Sequence, residues 1–302
     1  MLSDAKVLVT GPAGQIGSAI VRALAADNEV WGIARFGDPE ARARVEALGV
    51  TTRAVDFADP DLSDVPDDVT HVVHLAAYMG RDGDDDHAIT VNAEGTGVLL
   101  QHCRRARAAL VMSTFSVYRP NDDPTHAYSE GDRLGEANAP HSPTYSVSKI
   151  AQEAVARTAA RTLDLPVVIA RMNAAYGDDG GLPAHHLRAV LADEPVVTRW
   201  DPCTYSPIHT DDIVAQLPAM LDVASVPATI VNWCGDQPVS VQEWTAHLGT
   251  LTGRDARVEV VDQPGTQRSA IGDPTKRRLV TGPCRVDWRD GIERMVAARA
   301  PR

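Results

Sequence analysis

Two short clusters in this sequence have the residue types and spacing for chemistry. The first is Tyr145-Ser-Val-Ser-Lys149. A tyrosine and a lysine at i and i+4 of a helix share one face, a single turn apart. An ammonium beside a phenol favours the phenolate and draws down a pKa of about 10. A tyrosine tuned in this way can act as general acid or base for a hydroxyl/carbonyl pair. Lys6, Lys149 and Lys276 are the three lysines among 29 basic residues, the rest being arginine, so a lysine-containing motif does not arise easily by chance. The second cluster is Gly11-Pro-Ala-Gly14-Gln15-Ile16-Gly17. Glycines at this spacing allow a sharp turn and close backbone approach to a pyrophosphate, and a helix N-terminus beyond them supplies free N–H groups and partial positive charge.

Such clusters need elements to hold them. Lys6 to Thr10 reads as an apolar strand leading into the glycine turn, and Gln15 to Asp27 as an amphipathic helix leaving it, which is the context the motif requires. Further strands are predicted at 29–34, 51–56, 71–76, 109–113 and 166–171, with helices at 39–48, 88–106 and 145–163. Ser142-Pro143 reads as the cap and first turn of the last helix. Near-continuous apolar strands separated by helices predict βαβ units and an α/β fold, a doubly wound parallel sheet covered on both faces. Beyond Tyr176 the pattern weakens, with prolines and short segments to Pro207, a helix at 211–221 and a strand at 229–233. The predicted domains are residues 1–176, with 204–235 returning to them, and a smaller substrate-binding lobe made of 177–203 and 236–302.

The chain has 302 residues and a net charge of −12, which disfavours phosphate backbones and anionic membrane surfaces, so no nucleic-acid or membrane partner is expected. No apolar stretch is long enough to span a bilayer and no secretory signal is visible. Four cysteines without CxxC spacing read as reduced thiols of a cytoplasmic protein. No metal site is expected: Asp84-Asp-Asp-His87 lacks calcium-loop spacing, and His185-His186 point apart on a helix. His74, within a strand, reads as a satisfied core imidazole.

Taken in order, these landmarks resemble the extended short-chain dehydrogenase/reductases, the NAD(P)-dependent epimerase/dehydratase family, along nearly the whole chain. The glycine turn is followed by Asp56, His74-Leu-Ala-Ala77, Asn92 with Gly95-Thr96, Ser113-Thr114 ahead of Tyr118, Tyr145/Lys149 with Glu153, Arg171 to Gly177, His209 to Asp212, and Asp273 to Leu279. The resemblance implies a Rossmann domain, a nicotinamide cofactor, a small-molecule substrate, and a homodimer through the helices at about 92–106 and 145–163. It also implies a catalytic set of Thr114, Tyr145 and Lys149. Thr114 would hydrogen-bond the substrate oxygen, with Ser113 as the alternative; Tyr145 would exchange the proton, and Lys149 would hold the nicotinamide ribose. Gly11, Gly14, Gln15, Ile16, Gly17, Arg35, Asp56, Phe57, Leu75, Ala76, Ala77 and Asn92, with Tyr145 and Lys149, would bind the cofactor.

At the end of the second strand stand Ala34 and Arg35, where an acidic residue would bind ribose hydroxyls and repel a 2′-phosphate. A guanidinium can grip that phosphate bidentately, so NADP(H) is favoured, with NAD(H) left open. Asp56 and Phe57 would flank the adenine. Departures from the family pattern bear on the reaction. Phe115-Ser116 stands where the 4,6-dehydratases carry Asp-Glu, which argues against dehydration. Ala174 and Tyr205 occupy positions where nucleotide-sugar enzymes use Asn and Arg on the diphosphate, although Arg188 or Arg199 could replace the cation. The expected activity is NADP(H)-dependent interconversion of a secondary alcohol and a ketone or aldehyde on a small or medium-sized metabolite. A nucleotide-sugar 4-epimerase using bound NAD is the alternative, and a non-catalytic cofactor sensor is disfavoured because Tyr145 and Lys149 are both present.

Overall fold

The structure is a computed structural model in which residues 2–80, 83–135 and 142–299 are described. The chain divides into two compact units: Met1–Val117 with Ala139–Arg171 and Val214–Val231, and Tyr118–Asn138 with Met172–Ile213 and Asn232–Arg302.

In the first unit, apolar runs form strands β1 (Lys6–Thr10), β2 (Glu29–Ala34), β3 (Thr51–Ala54), β4 (His71–His74), β5 (Ala108–Thr114), β6 (Val167–Met172) and β7 (Thr229–Trp233). Their order in the sheet is β7-β6-β5-β4-β1-β2-β3, and β1 pairs in parallel with β2 and β4, as β3 does with β2 and β5 with β4. The strand order reverses between β1 and β4, the place where open α/β sheets bind ligands beyond their carboxyl ends. Helices α1 (Gln15–Leu24), α2 (Pro39–Glu46), α3 (Asp85–Ile89), α4 (Gly95–His102) and α5 (Tyr145–Leu163) belong to this unit, as does most of the helix Thr210–Asp222. Leu8, Ile33, Val72, Leu99, Val111 and Ile169 lie in one fully buried cluster. Burial of such side chains contributes roughly 1.5–3 kcal/mol each.

Several predicted elements are shorter than expected, and three of the differences have a local reason. Strand β4 stops at His74 because the N–H groups of Leu75 and Ala76 leave the ladder and donate to the Thr10 hydroxyl, at 3.0 and 2.8 Å. The single helix predicted at 88–106 is broken by a π-helical turn at Thr90–Glu94. Asn92 sits in that turn, where its amide donates to the Tyr78 carbonyl and accepts from the Tyr78 N–H. Thirdly, α5 is not capped by Ser142. Its N-cap is Thr144, which makes no side-chain capping bond, and the buried Ser142 hydroxyl finds no partner among the described residues.

The second unit is built on the helices Leu182–Leu191, Val241–Thr252 and Trp288–Arg299, packed through Leu187, Val190, Trp244, Leu248, Trp288 and Met295. Ser240 opens the middle one with a capping box: it accepts from the Glu243 N–H while the Glu243 carboxylate accepts from the Ser240 N–H. Residues 127–128, from the excursion after β5, pair with 271–272.

Candidate active site

The turn between β1 and α1 is shaped by its glycines. Gly11 adopts φ +66°, a left-handed conformation, and a Cβ on Gly17 would overlap the Gly11 carbonyl oxygen. Beside the turn is a cavity of about 290 Å³ lined by Gly11, Gly14, Ala34, Arg35, Val55, Asp56, Phe57, Leu75, Ala76, Ala77, Tyr78 and Val91. Eight predicted cofactor residues are thus brought together on one wall: Gly11, Gly14, Arg35, Asp56, Phe57, Leu75, Ala76 and Ala77. Gln15, Ile16 and Gly17 lie in the adjoining first turn of α1, where the Gln15 side-chain nitrogen is buried without a hydrogen-bond partner among the described residues. Val55, Tyr78 and Val91 were not singled out from sequence; they are apolar or amphipathic residues without a motif, and only packing places them here.

Arg35 is exposed and makes no ion pair with a described residue. Asp56 is exposed and accepts from the Ala58 N–H at 3.0 Å, while Phe57 is buried and tilts against the His74 ring with centroids 5.3 Å apart. A glycine cradle that side chains would fill, an unpartnered buried amide nitrogen and an unpaired guanidinium fit a pyridine dinucleotide. Asn92 does not line the cavity. Its amide is spent on Tyr78 and on the Ser148 hydroxyl at 2.9 Å, tying the loop after β4 to α5.

The other predicted residues meet where β5 ends against α5. Thr114, the last residue of β5, is partly exposed; its hydroxyl accepts from the Ser116 N–H at 3.2 Å and lies near enough to the Tyr145 phenol to lower its proton affinity. Strand alternation turns the preceding Ser113 to the opposite face. There its hydroxyl donates to the Glu153 carboxylate at 2.5 Å. Lys149 is 1% exposed, and its ammonium donates to the Met112 carbonyl at 2.6 Å and lies 5.9 Å from the centre of the Tyr145 ring.

Burial governs the electrostatics of this end. It pushes the Tyr145 phenol up to about 12, against a downward pull from the Thr114 hydroxyl. It pulls the Lys149 ammonium down to about 7, opposed by the Glu153 carboxylate. The expected lowering of the phenol by Lys149 is therefore not what governs here, because the ammonium is turned to a carbonyl and desolvation outweighs it. His74 is a satisfied buried imidazole. Its ring nitrogens are each 2.8 Å from a hydroxyl, of Thr10 and Thr96, and burial with the nearby Lys149 charge pulls it down to about 3.

Within the second unit, the Asn173 amide is used internally, donating to the Ala270 carbonyl and accepting from the Ala174 and Ser206 N–H groups. The Tyr205 phenol accepts a hydrogen bond from the Arg199 guanidinium at 3.2 Å, whereas Arg188 is engaged by His185.

Residues 7–232 match the NAD dependent epimerase/dehydratase family. A probable dTDP-glucose 4,6-dehydratase of Sinorhizobium fredii is 34% identical over 197 residues, 57% of this chain and 54% of that protein. A dTDP-4-dehydro-6-deoxy-D-allose reductase of Streptomyces bikiniensis is 28% identical over 89% of this chain and 86% of its own length. The chain spans about half the length, 38 to 54%, of three of the curated relatives it matches. The crystal structure of UDP-glucuronic acid 4-epimerase from Bacillus cereus, in complex with UDP-glucuronic acid and NAD, superposes with a TM-score of 0.83 at 25% identity, covering 97% of this chain and 98% of that one. No helix among the described residues is long and apolar enough to cross a membrane.

Proposed function

The chain belongs to the NAD-dependent epimerase/dehydratase family and is an NAD(P)-dependent enzyme of the extended short-chain dehydrogenase/reductase type; from that premise we propose that it is an NADP(H)-dependent oxidoreductase interconverting a secondary alcohol and a ketone or aldehyde. The observation that carries this reading is the meeting of Thr114, Tyr145 and the buried Lys149 where β5 ends against α5, with the Lys149 ammonium 5.9 Å from the centre of the Tyr145 ring. The glycine turn with Gln15 and Ile16 would hold the pyrophosphate, Arg35 the 2′-phosphate, Asp56 and Phe57 the adenine side, and Leu75 to Ala77, Tyr145 and Lys149 the nicotinamide side, with Asn92 positioning the loop at Tyr78. When bound, the nicotinamide supplies or accepts the hydride.

The protein's own part is proton handling and orientation. Thr114 and Tyr145 present two hydroxyls to one substrate oxygen. In reduction the phenol of Tyr145 gives its proton to that oxygen as the carbonyl becomes an alkoxide; in oxidation the phenolate takes it back. Burial keeps the phenol protonated before transfer, and the ammonium of Lys149 would stabilise the phenolate left behind. Phe115-Ser116 offers no acid and base pair for removing water.

For substrate class, Ala174 and Tyr205 support a metabolite without a nucleotide diphosphate. A second reading, a nucleotide-sugar 4-epimerase or reductase, is favoured by the Arg199 guanidinium at the Tyr205 phenol and by the full-length likeness to a dTDP-sugar reductase. One experiment addresses both. The purified protein is mixed with NADPH and a panel of simple ketones and 4-keto nucleotide sugars, and loss of the reduced nicotinamide absorbance is followed. Turnover with simple ketones supports the first reading, and turnover confined to nucleotide sugars the second. Epimerisation with no net absorbance change identifies an epimerase. In a Tyr145→Phe variant turnover falls at least about a hundredfold with NADPH affinity retained; full turnover in that variant defeats the mechanism. The proposed homodimer, through α4 and α5, is checked by sedimentation of the same sample, and the proposed cytoplasmic location by fractionation.

A further inference from the structure

Behind the Tyr145–Lys149 pair lies a buried ionic cluster that the proton-transfer chemistry does not use. Glu153 is 2% exposed and follows Lys149 by four residues on α5. Two parallel hydrogen bonds join it to Arg171 of β6, also 2% exposed: Nε to Oε1 at 2.9 Å and Nη2 to Oε2 at 2.7 Å. The Ser113 hydroxyl of β5 donates to the same carboxylate at 2.5 Å. Three elements are thereby tied through one side chain, and two of them carry Thr114, Tyr145 and Lys149. Ser113 lies between Met112, whose carbonyl accepts from Lys149, and Thr114, which meets Tyr145.

Such a cluster is costly. Taking two charges out of water carries a penalty that their attraction only balances when the geometry is good, and apolar side chains of similar volume serve stability equally well or better. Its position one helical turn from a buried ammonium gives it a different use. We propose that Ser113, Glu153 and Arg171 form a positioning clamp, in which the Glu153 carboxylate keeps the Lys149 ammonium charged in a dry site while Ser113 and Arg171 hold that carboxylate and lock the Thr114 end of β5 to α5. The inference rests on the reading of Tyr145 and Lys149 as the catalytic pair. The ionisable groups facing Lys149 are His74 from β4 and Tyr145 and Glu153 from α5, with Arg171 from β6 behind Glu153; β5 contributes the Met112 carbonyl. Glu153 supplies the one anionic influence on Lys149, and it opposes a much larger desolvation.

The scarcity of lysine makes a direct test practical. In full-length protein labelled with ¹³Cε-lysine, three side-chain resonances are expected, that of Lys149 being the one lost in Lys149→Met. Each is titrated with and without NADPH. In Glu153→Gln, which keeps the shape and removes the charge, the Lys149 midpoint is expected to fall by about one pH unit. In Glu153→Asp, which keeps the charge and changes the shape, it is expected to stay near that of the unmodified protein. A double Glu153→Met/Arg171→Met variant leaves no unpaired buried charge and is expected to fold and to show a fall smaller than that of Glu153→Gln, in which the guanidinium remains. The proposal is overturned by an unmoved Lys149 midpoint in either folded variant that lacks the carboxylate, by an Asp variant that shifts as far as Gln, or by failure of the double variant to fold, which would make the cluster a structural keystone. The readout is independent of turnover. Full activity in Tyr145→Phe alongside the expected Lys149 shifts would sink the catalytic reading and leave the electrostatic clamp standing.

Discussion

At the glycine turn, Arg35 and Asp56 stand exposed at the rim of a cavity, and Arg35 has no charged partner among the described residues. Where α5 packs on the sheet, by contrast, Lys149 and Glu153 of α5 and Arg171 of β6 are at most 2% exposed, and each has a hydrogen-bond partner. Both regions belong to the same unit and are organised by the same sheet, yet they treat charge in opposite ways. A free guanidinium in water costs nothing to keep and suits recognition of a charged ligand. Groups held in the dry interior have displaced proton affinities, which is what acid–base chemistry needs, and they require internal partners to be tolerated.

That contrast can be broken at the buried end first. Folding pulls Lys149 below its ordinary value, so the unfolded chain binds the extra proton more readily, and the group costs stability wherever it must be charged. Lys149→Met is therefore expected to raise stability near neutral pH by a few kcal/mol, with the gain shrinking as pH rises from about 7 toward 10. Urea unfolding at several pH values checks this; an unchanged midpoint would mean that Lys149 is not desolvated. A smaller effect concerns His74, whose folded value of about 3 also lies below the unfolded one. Stability present at neutral pH is lost as pH falls through 6.5 toward 3, by about 2 kcal/mol between pH 7 and 5, and His74→Gln is expected to flatten that slope. The smallest effect falls at the exposed end. Arg35→Ala is expected to weaken NADPH binding about tenfold, leave NADH binding nearly unchanged and lose discrimination at high salt, as fluorescence titration would show. Equal losses for both dinucleotides would remove Arg35 as the discriminating contact.

Much of this was legible before any coordinates. The βαβ rhythm follows from apolar runs alternating with helical segments, and the glycine turn is recognisable because steric demands allow few other residues there. Tyr145 and Lys149 share a face by helix periodicity alone. The early end of β4 was not legible, because the competing acceptor, the Thr10 hydroxyl, is 65 residues away from Leu75. Asn92 matched a landmark, but its partner Tyr78 carries no motif and only the folded loop shows where the amide is spent.

What the residues determined by themselves was local: a turn that must be glycine, a phenol and an ammonium one helical turn apart, and a strand end with two adjacent hydroxyls. Which hydroxyl faces Tyr145 was decided by the pleat of β5, which sends Thr114 to one side and Ser113 to the other. The pairing of Glu153 with Arg171 and Ser113 was decided by the stacking of β5 and β6 beneath α5. Spacing in sequence records helix faces because a helix repeats within four residues; it cannot record contacts made across a sheet, where neighbours in space are set by strand order and by the desolvation that burial imposes.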